Sequence, residues 1–330
     1  MKYRVFITRP TPQTVLNFLA ARCDVQTAKE DAPFPVEELA RICRDEKIEG
    51  LLVAGGAVPA EVIRAAAQLR VVALSSVGYD HVDLIECTRR GILVTNATGS
   101  LEETTADLAF AVLLAVARRV VEADRFVRAG QWKYWRWQLL WGANVHHKTL
   151  GIYGFGNIGR AVARRAAGFS MRVLYYTHPH TAKAAESDAG ARYVDRETLF
   201  READFVSLHV PLTPETKRAV SERELAWMKP SSILINTSRG RVVDEQALVS
   251  ALKEKRIAGA ALDVFEGEPK VHPELLRMDN VVLTPHIGSA SEETRTEMAM
   301  LAARNLLTAL DGQRPPNLIN PDATRAQADC

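Results

Sequence analysis

The chain has 330 residues, 47% of them hydrophobic and 25% charged, with a formal net charge of +2. A length of this order predicts two domains, and the composition is that of an ordinary soluble globular protein. The near-neutral balance argues against nucleic acid or a membrane surface as partner, and no apolar run reaches the length of a transmembrane helix. The start, Met1-Lys-Tyr-Arg-Val-Phe6, reads as a charged strand start rather than a signal peptide. Cys23, Cys43, Cys87 and Cys330 are scattered, with no C-x-x-C pair. They predict reduced thiols in a cytoplasmic protein, with neither a disulfide framework nor a zinc site.

In chain order, strands are predicted at 3–7, 24–27, 50–53, 70–74 and 93–94, alternating with helices at 11–21, 36–43, 60–67 and 82–90. That alternation predicts a doubly wound α/β layer. A long Ala- and Leu-rich helix is predicted over 102–121. The next segment has a different texture, because Trp132, Trp135, Trp137 and Trp141 are four of the five tryptophans in the chain. Such density predicts a surface covered by another subunit. The alternative is a satellite apolar cluster within one chain.

The segment Thr149-Leu-Gly-Ile-Tyr-Gly154-Phe155-Gly156-Asn157-Ile158-Gly159 reads as a strand, a glycine-rich turn and a helix start. Leu150, Ile152 and Tyr153 supply the apolar run of a buried parallel strand, Ala161, Val162, Ala163 and Ala166 the apolar helix face, and residues 172–176 a second strand. In such a βαβ unit Gly154 makes the tight turn, Gly156 lets the backbone approach a pyrophosphate, and Gly159 lets helix pack close to strand. The helix N-terminus offers N–H groups and a positive dipole end to phosphates. The second strand ends on Tyr176-Thr177-His178-Pro-His180, and no carboxylate follows until Glu186. An acid there would bind the ribose 2′-OH of NAD but repel a 2′-phosphate, whereas Thr177 can donate to one and His178, His180 or Lys183 can add charge. NADP is therefore favoured, with NAD possible; the plainer alternative for the two histidines is a solvated loop.

Further strands are predicted at 205–210, 232–236, 259–265 and 281–283, with helices at 195–201, 221–227, 244–253 and 292–310. A polar tail follows Asp311, and 321–330 is expected to be loosely attached. Three strand ends carry polar residues: Arg239 in Asn236-Thr-Ser-Arg-Gly240, Glu268 in Asp263-Val-Phe-Glu-Gly-Glu-Pro269, and His286 in Thr284-Pro-His-Ile-Gly288. Ligands of open α/β sheets bind at the carboxyl ends of strands. An Arg, a Glu and a His meeting there suit hydride transfer to a 2-oxo acid. Arg forks onto a carboxylate, His gives a proton to the carbonyl oxygen, and the Glu favours the charged imidazole and holds one tautomer. Each of the three also has the plainer reading of a solvated strand-end charge, and convergence is left open by the sequence.

Together, Phe155-Gly-Asn-Ile-Gly159, Asn236-Thr-Ser-Arg239-Gly, Asp263-Val-Phe-Glu-Gly-Glu268-Pro and Thr284-Pro-His286-Ile-Gly288-Ser resemble the D-isomer-specific 2-hydroxyacid dehydrogenases, from the first strand to about residue 320. Val145-His-His-Lys-Thr-Leu-Gly151 and the missing acid at Thr177 are most similar to the glyoxylate/hydroxypyruvate and 2-ketogluconate reductases of that family. The resemblance implies that His286 is the proton donor, Glu268 its partner, and Arg239 the group that binds and polarises the substrate. It implies substrate contacts also from Ser289 and from the Val77 and Gly78 amides, which would hold the carboxylate. It implies cofactor contacts from residues 154–159, Thr177, His178, Pro211, Thr237, Ser238, Asp263 and Gly288. The implied architecture is two doubly wound domains: a Rossmann cofactor domain over 99–287, with a dimerisation arm at about 120–148, inserted in a flavodoxin-like substrate domain of 1–98 and 288–330. Homodimers reducing small 2-oxo acids such as glyoxylate, hydroxypyruvate or 2-ketogluconate to 2-hydroxy acids are expected. The alternatives are an NAD-linked dehydrogenase of another 2-hydroxy acid, of phosphoglycerate or of phosphite, and a dinucleotide-sensing corepressor. A sensor can dispense with Arg239 or His286, and this chain has both.

Overall fold

The computed structural model describes residues 2–177 and 190–323. It divides into two compact units, 1–101 with 290–330 and 102–289, so the second is inserted in sequence between the two parts of the first. Each is an all-parallel sheet with helices on both faces, the arrangement that makes strands continuously apolar rather than alternating.

In the first unit β1 (Tyr3–Ile7), β2 (Cys23–Thr27), β3 (Gly50–Val53), β4 (Val71–Leu74) and β5 (Leu93–Thr95) lie in the order β2-β1-β3-β4-β5, the flavodoxin-like order. One face packs Leu39, Val62 and Ile63, and the other is covered by Ala302, Leu306 and Leu310 of the Glu292–Leu310 helix. The segment after that helix is anchored to β5 through residues 318–320. Leu318 bridges to Thr95, and the buried Asn320 side chain takes the Val94 N–H at 2.8 Å and donates to the Ile92 carbonyl at 2.9 Å. Ala323 is buried as well, while 324–330, including Cys330, lie outside the described residues.

In the second unit β6 (Thr149–Tyr153), β7 (Arg172–Tyr176), β8 (Arg192–Tyr193), β9 (Phe205–Leu208), β10 (Ile233–Asn236), β11 (Gly259–Leu262) and β12 (Val281–Leu283) lie in the order β12-β11-β10-β9-β6-β7-β8. The order reverses between β6 and β9, the Rossmann switch point. Alternate residues face opposite cores: Leu150, Ile152, Ile233 and Ile235 pack with Ala106, Phe110 and Leu113, whereas Leu234 and Leu208 pack with Phe200 and Leu248. Burying each such Leu or Ile is worth roughly 1.5–3 kcal/mol.

The helix expected over 102–121 breaks into Glu102–Ala117 and Val120–Arg128. Arg119 at the joint has a left-handed φ of 54°. The Ala117 carbonyl is taken by the Ala143 N–H at 2.8 Å, and a Cβ on Gly142 would stand 2.3 Å from that same oxygen. The root of the tryptophan-rich arm is thus pinned across the helix end. Among the described residues no helix is long and apolar enough to cross a membrane, and no group of three or more His, Cys, Asp or Glu is placed to hold a metal ion.

Candidate active site

The glycine turn lies at the reversal of strand order. Gly154 has φ +100°, and a Cβ on it would lie 2.5 Å from the His209 carbonyl oxygen. Only glycine lets the end of β6 meet the end of β9 so closely. Around Gly156 nothing stands within 4 Å of a Cβ position, so the backbone faces open space, and no side chain caps the Asn157–Ala167 helix that starts there. A Cβ on Gly159 would come 2.2 Å from the Gly154 carbonyl oxygen, which locks the helix onto the turn. Phe155 is buried, stacked on Tyr175 with centroids 4.0 Å apart. Asn157 reaches Glu102 at 3.4 Å, and Ile158 packs on the core. An uncapped helix end beside an open glycine is a fit for the pyrophosphate of a dinucleotide. Thr237, after β10, fits the same reading, since its hydroxyl is buried with no hydrogen-bond partner within the chain.

Beside this turn the His209 ring pairs with the Ser207 hydroxyl at 2.8 Å and has its Nδ1 sealed from solvent. Burial pulls its pKa down to about 3, so the ring is neutral at physiological pH and lends no charge to the anion site. Pro211 follows on the same strand end, its carbonyl taken by the Thr216 hydroxyl at 2.6 Å. Thr177 is buried directly after β7. His178, with His180 and Lys183, lies outside the described residues.

Arg239, Glu268 and His286 follow β10, β11 and β12, at the same end of the sheet as the glycine turn. His286 Nδ1 meets Glu268 Oε2 at 2.9 Å, and the other Glu268 oxygen accepts the Phe265 N–H at 2.9 Å. Partial burial pushes the Glu268 pKa up, but the His286 hydrogen bond, the Phe265 amide and the positive charges of His286 and Arg239 outweigh it, leaving the carboxyl below its ordinary value. The side chains are 51% (His286) and 35% (Glu268) exposed, open to a ligand.

Loop braces that the sequence reading did not find hold this constellation. Asn236, buried at the end of β10, accepts the Ser238 N–H at 3.0 Å and hydroxyl at 2.8 Å and donates to the Arg239 carbonyl at 3.0 Å. A Cβ on Gly240 would stand 1.9 Å from the Phe265 carbonyl carbon, so glycine alone lets the Arg239 loop rest on the Glu268 loop. His286 has a left-handed φ of 54°. That turn is fixed from below by Asp263, which accepts from the Thr284 hydroxyl at 2.6 Å and from the Ile287 and Gly288 amides at 2.8 Å each. Burial raises the Asp263 pKa, against the hydrogen bonds and the nearby His286 charge. An Asn two residues before a Ser, a signature of side chain-capped turns, was the available signal for Asn236. Ser289 ends this unit, whereas Val77 and Gly78 belong to the first, after β4.

Residues 110–288 match the family description "D-isomer specific 2-hydroxyacid dehydrogenase, NAD binding domain". The chain is 50% identical over 326 residues to a glyoxylate reductase of Thermococcus litoralis, covering 98% of each. A crystal structure of a Thermus thermophilus protein superposes with a TM-score of 0.87 at 43% identity, covering 96% of this chain and 99% of that one. An NADPH-dependent glyoxylate/hydroxypyruvate reductase of Sinorhizobium meliloti, in complex with NADP and malonate, superposes with a TM-score of 0.84 at 32% identity, covering 98% of both chains.

Proposed function

Because the chain belongs to the D-isomer-specific 2-hydroxyacid dehydrogenases, we propose that it reduces small 2-oxo acids to D-2-hydroxy acids, glyoxylate first, with hydroxypyruvate and 2-ketogluconate as further substrates and NADPH preferred to NADH. The observation that carries this is the His286–Glu268 pair at 2.9 Å, at the end of the sheet that bears the glycine turn. A bound reduced nicotinamide supplies a hydride to the carbonyl carbon. Arg239 holds and polarises the 2-oxo group. His286 gives a proton to the carbonyl oxygen, and Glu268, bonded to its Nδ1, orients the ring and holds one tautomer. The Thermococcus relative, named a glyoxylate reductase, supports the substrate. The absence of an acid at Thr177 supports NADPH. The test is a panel of 2-oxo acids assayed with each cofactor: turnover of glyoxylate, faster with NADPH, is expected, and no turnover of any 2-oxo acid refutes the proposal.

Glu268→Gln keeps the shape and an acceptor oxygen but not the charge. Its kcat on glyoxylate is expected to fall by about 10-fold or more, with NADPH affinity and melting temperature largely kept. An unchanged kcat would show that the Glu268 charge does not serve His286.

The Val77 and Gly78 amides are proposed to take the substrate carboxylate. Among the described residues no acceptor meets either N–H, as an anion site built of backbone amides requires. The arm is proposed to join two copies of the chain. No residue of the Val120–Arg128 helix is buried, and Trp132, Trp135, Trp137 and Trp141 are 57%, 72%, 73% and 60% exposed, a density of aromatic surface characteristic of an interface. Sedimentation at twice 36.4 kDa is expected; a monomer at micromolar concentration excludes it.

A further inference from the structure

We propose that Asn96 is a positioning residue that aims the Val77 and Gly78 amides, and so sets how tightly the substrate carboxylate is held; this rests on the carboxylate role proposed above for those amides. Asn96 stands where the chain leaves β5 for residue 102, the start of the second unit. Its side-chain Nδ2 donates to the Val77 carbonyl at 3.0 Å. The next amide, Ala97 N–H, donates to the Ser76 carbonyl at 2.9 Å. A trans peptide is planar, with its C=O and N–H pointing in opposite directions. Pinning the Ser76 oxygen therefore fixes where the Val77 N–H points, and pinning the Val77 oxygen fixes the Gly78 N–H. Both pins come from two consecutive residues of one segment. The Ser76 hydroxyl, which donates to the Gly78 carbonyl at 2.8 Å, closes the turn behind them.

Asn96 is itself held on every polar group. Its N–H donates to the Asn317 carbonyl at 3.2 Å, its carbonyl accepts from Asn305 at 3.2 Å, and its Oδ1 accepts the Thr98 N–H at 3.3 Å. Asn305 is fully buried in the Glu292–Leu310 helix and also donates to Asn317 Oδ1 at 3.2 Å. The partners fix which way the Asn96 amide faces, since a carbonyl demands the NH₂ end and an N–H the oxygen end. Only a side chain with donor and acceptor at this reach serves both Val77 and Thr98.

Asn96→Ser separates the two jobs. A serine hydroxyl can still cap the Thr98 N–H locally but is too short to reach Val77. With glyoxylate, KM is expected to rise about 10-fold in Asn96→Ser and in Asn96→Ala, the scale of a weakened hydrogen bond to a charged group. kcat should stay within about twofold, NADPH affinity should be unchanged, and kcat/KM on glyoxylamide, which has no carboxylate, should be unaltered. Gly78→Pro, which deletes one of the amides, is measured beside them. If Gly78→Pro raises KM for glyoxylate and folded Asn96→Ser does not, the aiming role is wrong and the amide site stands. If Gly78→Pro leaves KM unchanged, the carboxylate role of the amides fails instead. Equal losses on glyoxylate and glyoxylamide, or loss of cooperative melting in both Asn96 variants, make Asn96 a general folding residue and overturn the proposal.

Discussion

Replacing His286 by alanine is expected to lower kcat on glyoxylate by about two orders of magnitude or more while NADPH still binds. The separation follows from the layout: the glycine turn is built on β6 and braced by β9, whereas His286 is presented by the turn after β12. Alanine carries its own cost at this position. The φ of 54° is one that glycine and asparagine adopt readily and most residues do not. The backbone there is nonetheless tied by its own N–H to the Asp263 carbonyl at 2.9 Å. His286→Asn is therefore the quieter variant, since it suits the left-handed turn, removes the proton donor and leaves the Asp263 brace in place. Both variants should lose kcat alike. Near-normal turnover in either, with unchanged melting temperature and cofactor affinity, would remove His286 from the chemistry.

The parts legible in the sequence are those written in periodicity and in glycine. Apolar runs of four or five residues marked the parallel strands, and the spacing of Gly154, Gly156 and Gly159 marked a turn whose steric demands the structure displays at Gly154 and Gly159. Arg239, Glu268 and His286 were legible as polar residues at strand ends. What was not legible acts across long sequence separations. Asp263 secures a turn more than twenty residues later through two amides and a hydroxyl, and Gly240 matters because the Phe265 backbone lies against it. Asn320 behaves as a strand edge for β5 from a segment that composition marks as tail. The helix over 102–121 has an unbroken apolar pattern, and its break at Arg119 is set by Gly142 and Ala143, which no local rule connects to it. Local rules see propensity; they do not see which backbone groups a distant loop will satisfy.

Thr177→Asp is expected to move cofactor preference toward NADH by roughly 10- to 1,000-fold in the ratio of kcat/KM values. Thr177 is buried immediately after β7, and β7 is joined to the glycine turn by the Gly154 N–H to Tyr176 carbonyl bond of 2.8 Å. A carboxylate here would sit in a partly desolvated groove beside the dinucleotide turn. Against the ribose diol of NADH it accepts two hydrogen bonds, whereas against the 2′-phosphate of NADPH it sets like charges side by side with little water to screen them. The loss should fall mainly on KM for NADPH, because the 2′ position is remote from the carbonyl being reduced and its binding energy is the same in ground and transition states. The buried site makes the variant demanding to fold, so its melting temperature is measured with both cofactors present and absent. A folded Thr177→Asp enzyme with an unchanged ratio, or a wild type that already prefers NADH, would show that the 2′ position is read elsewhere than at the end of β7.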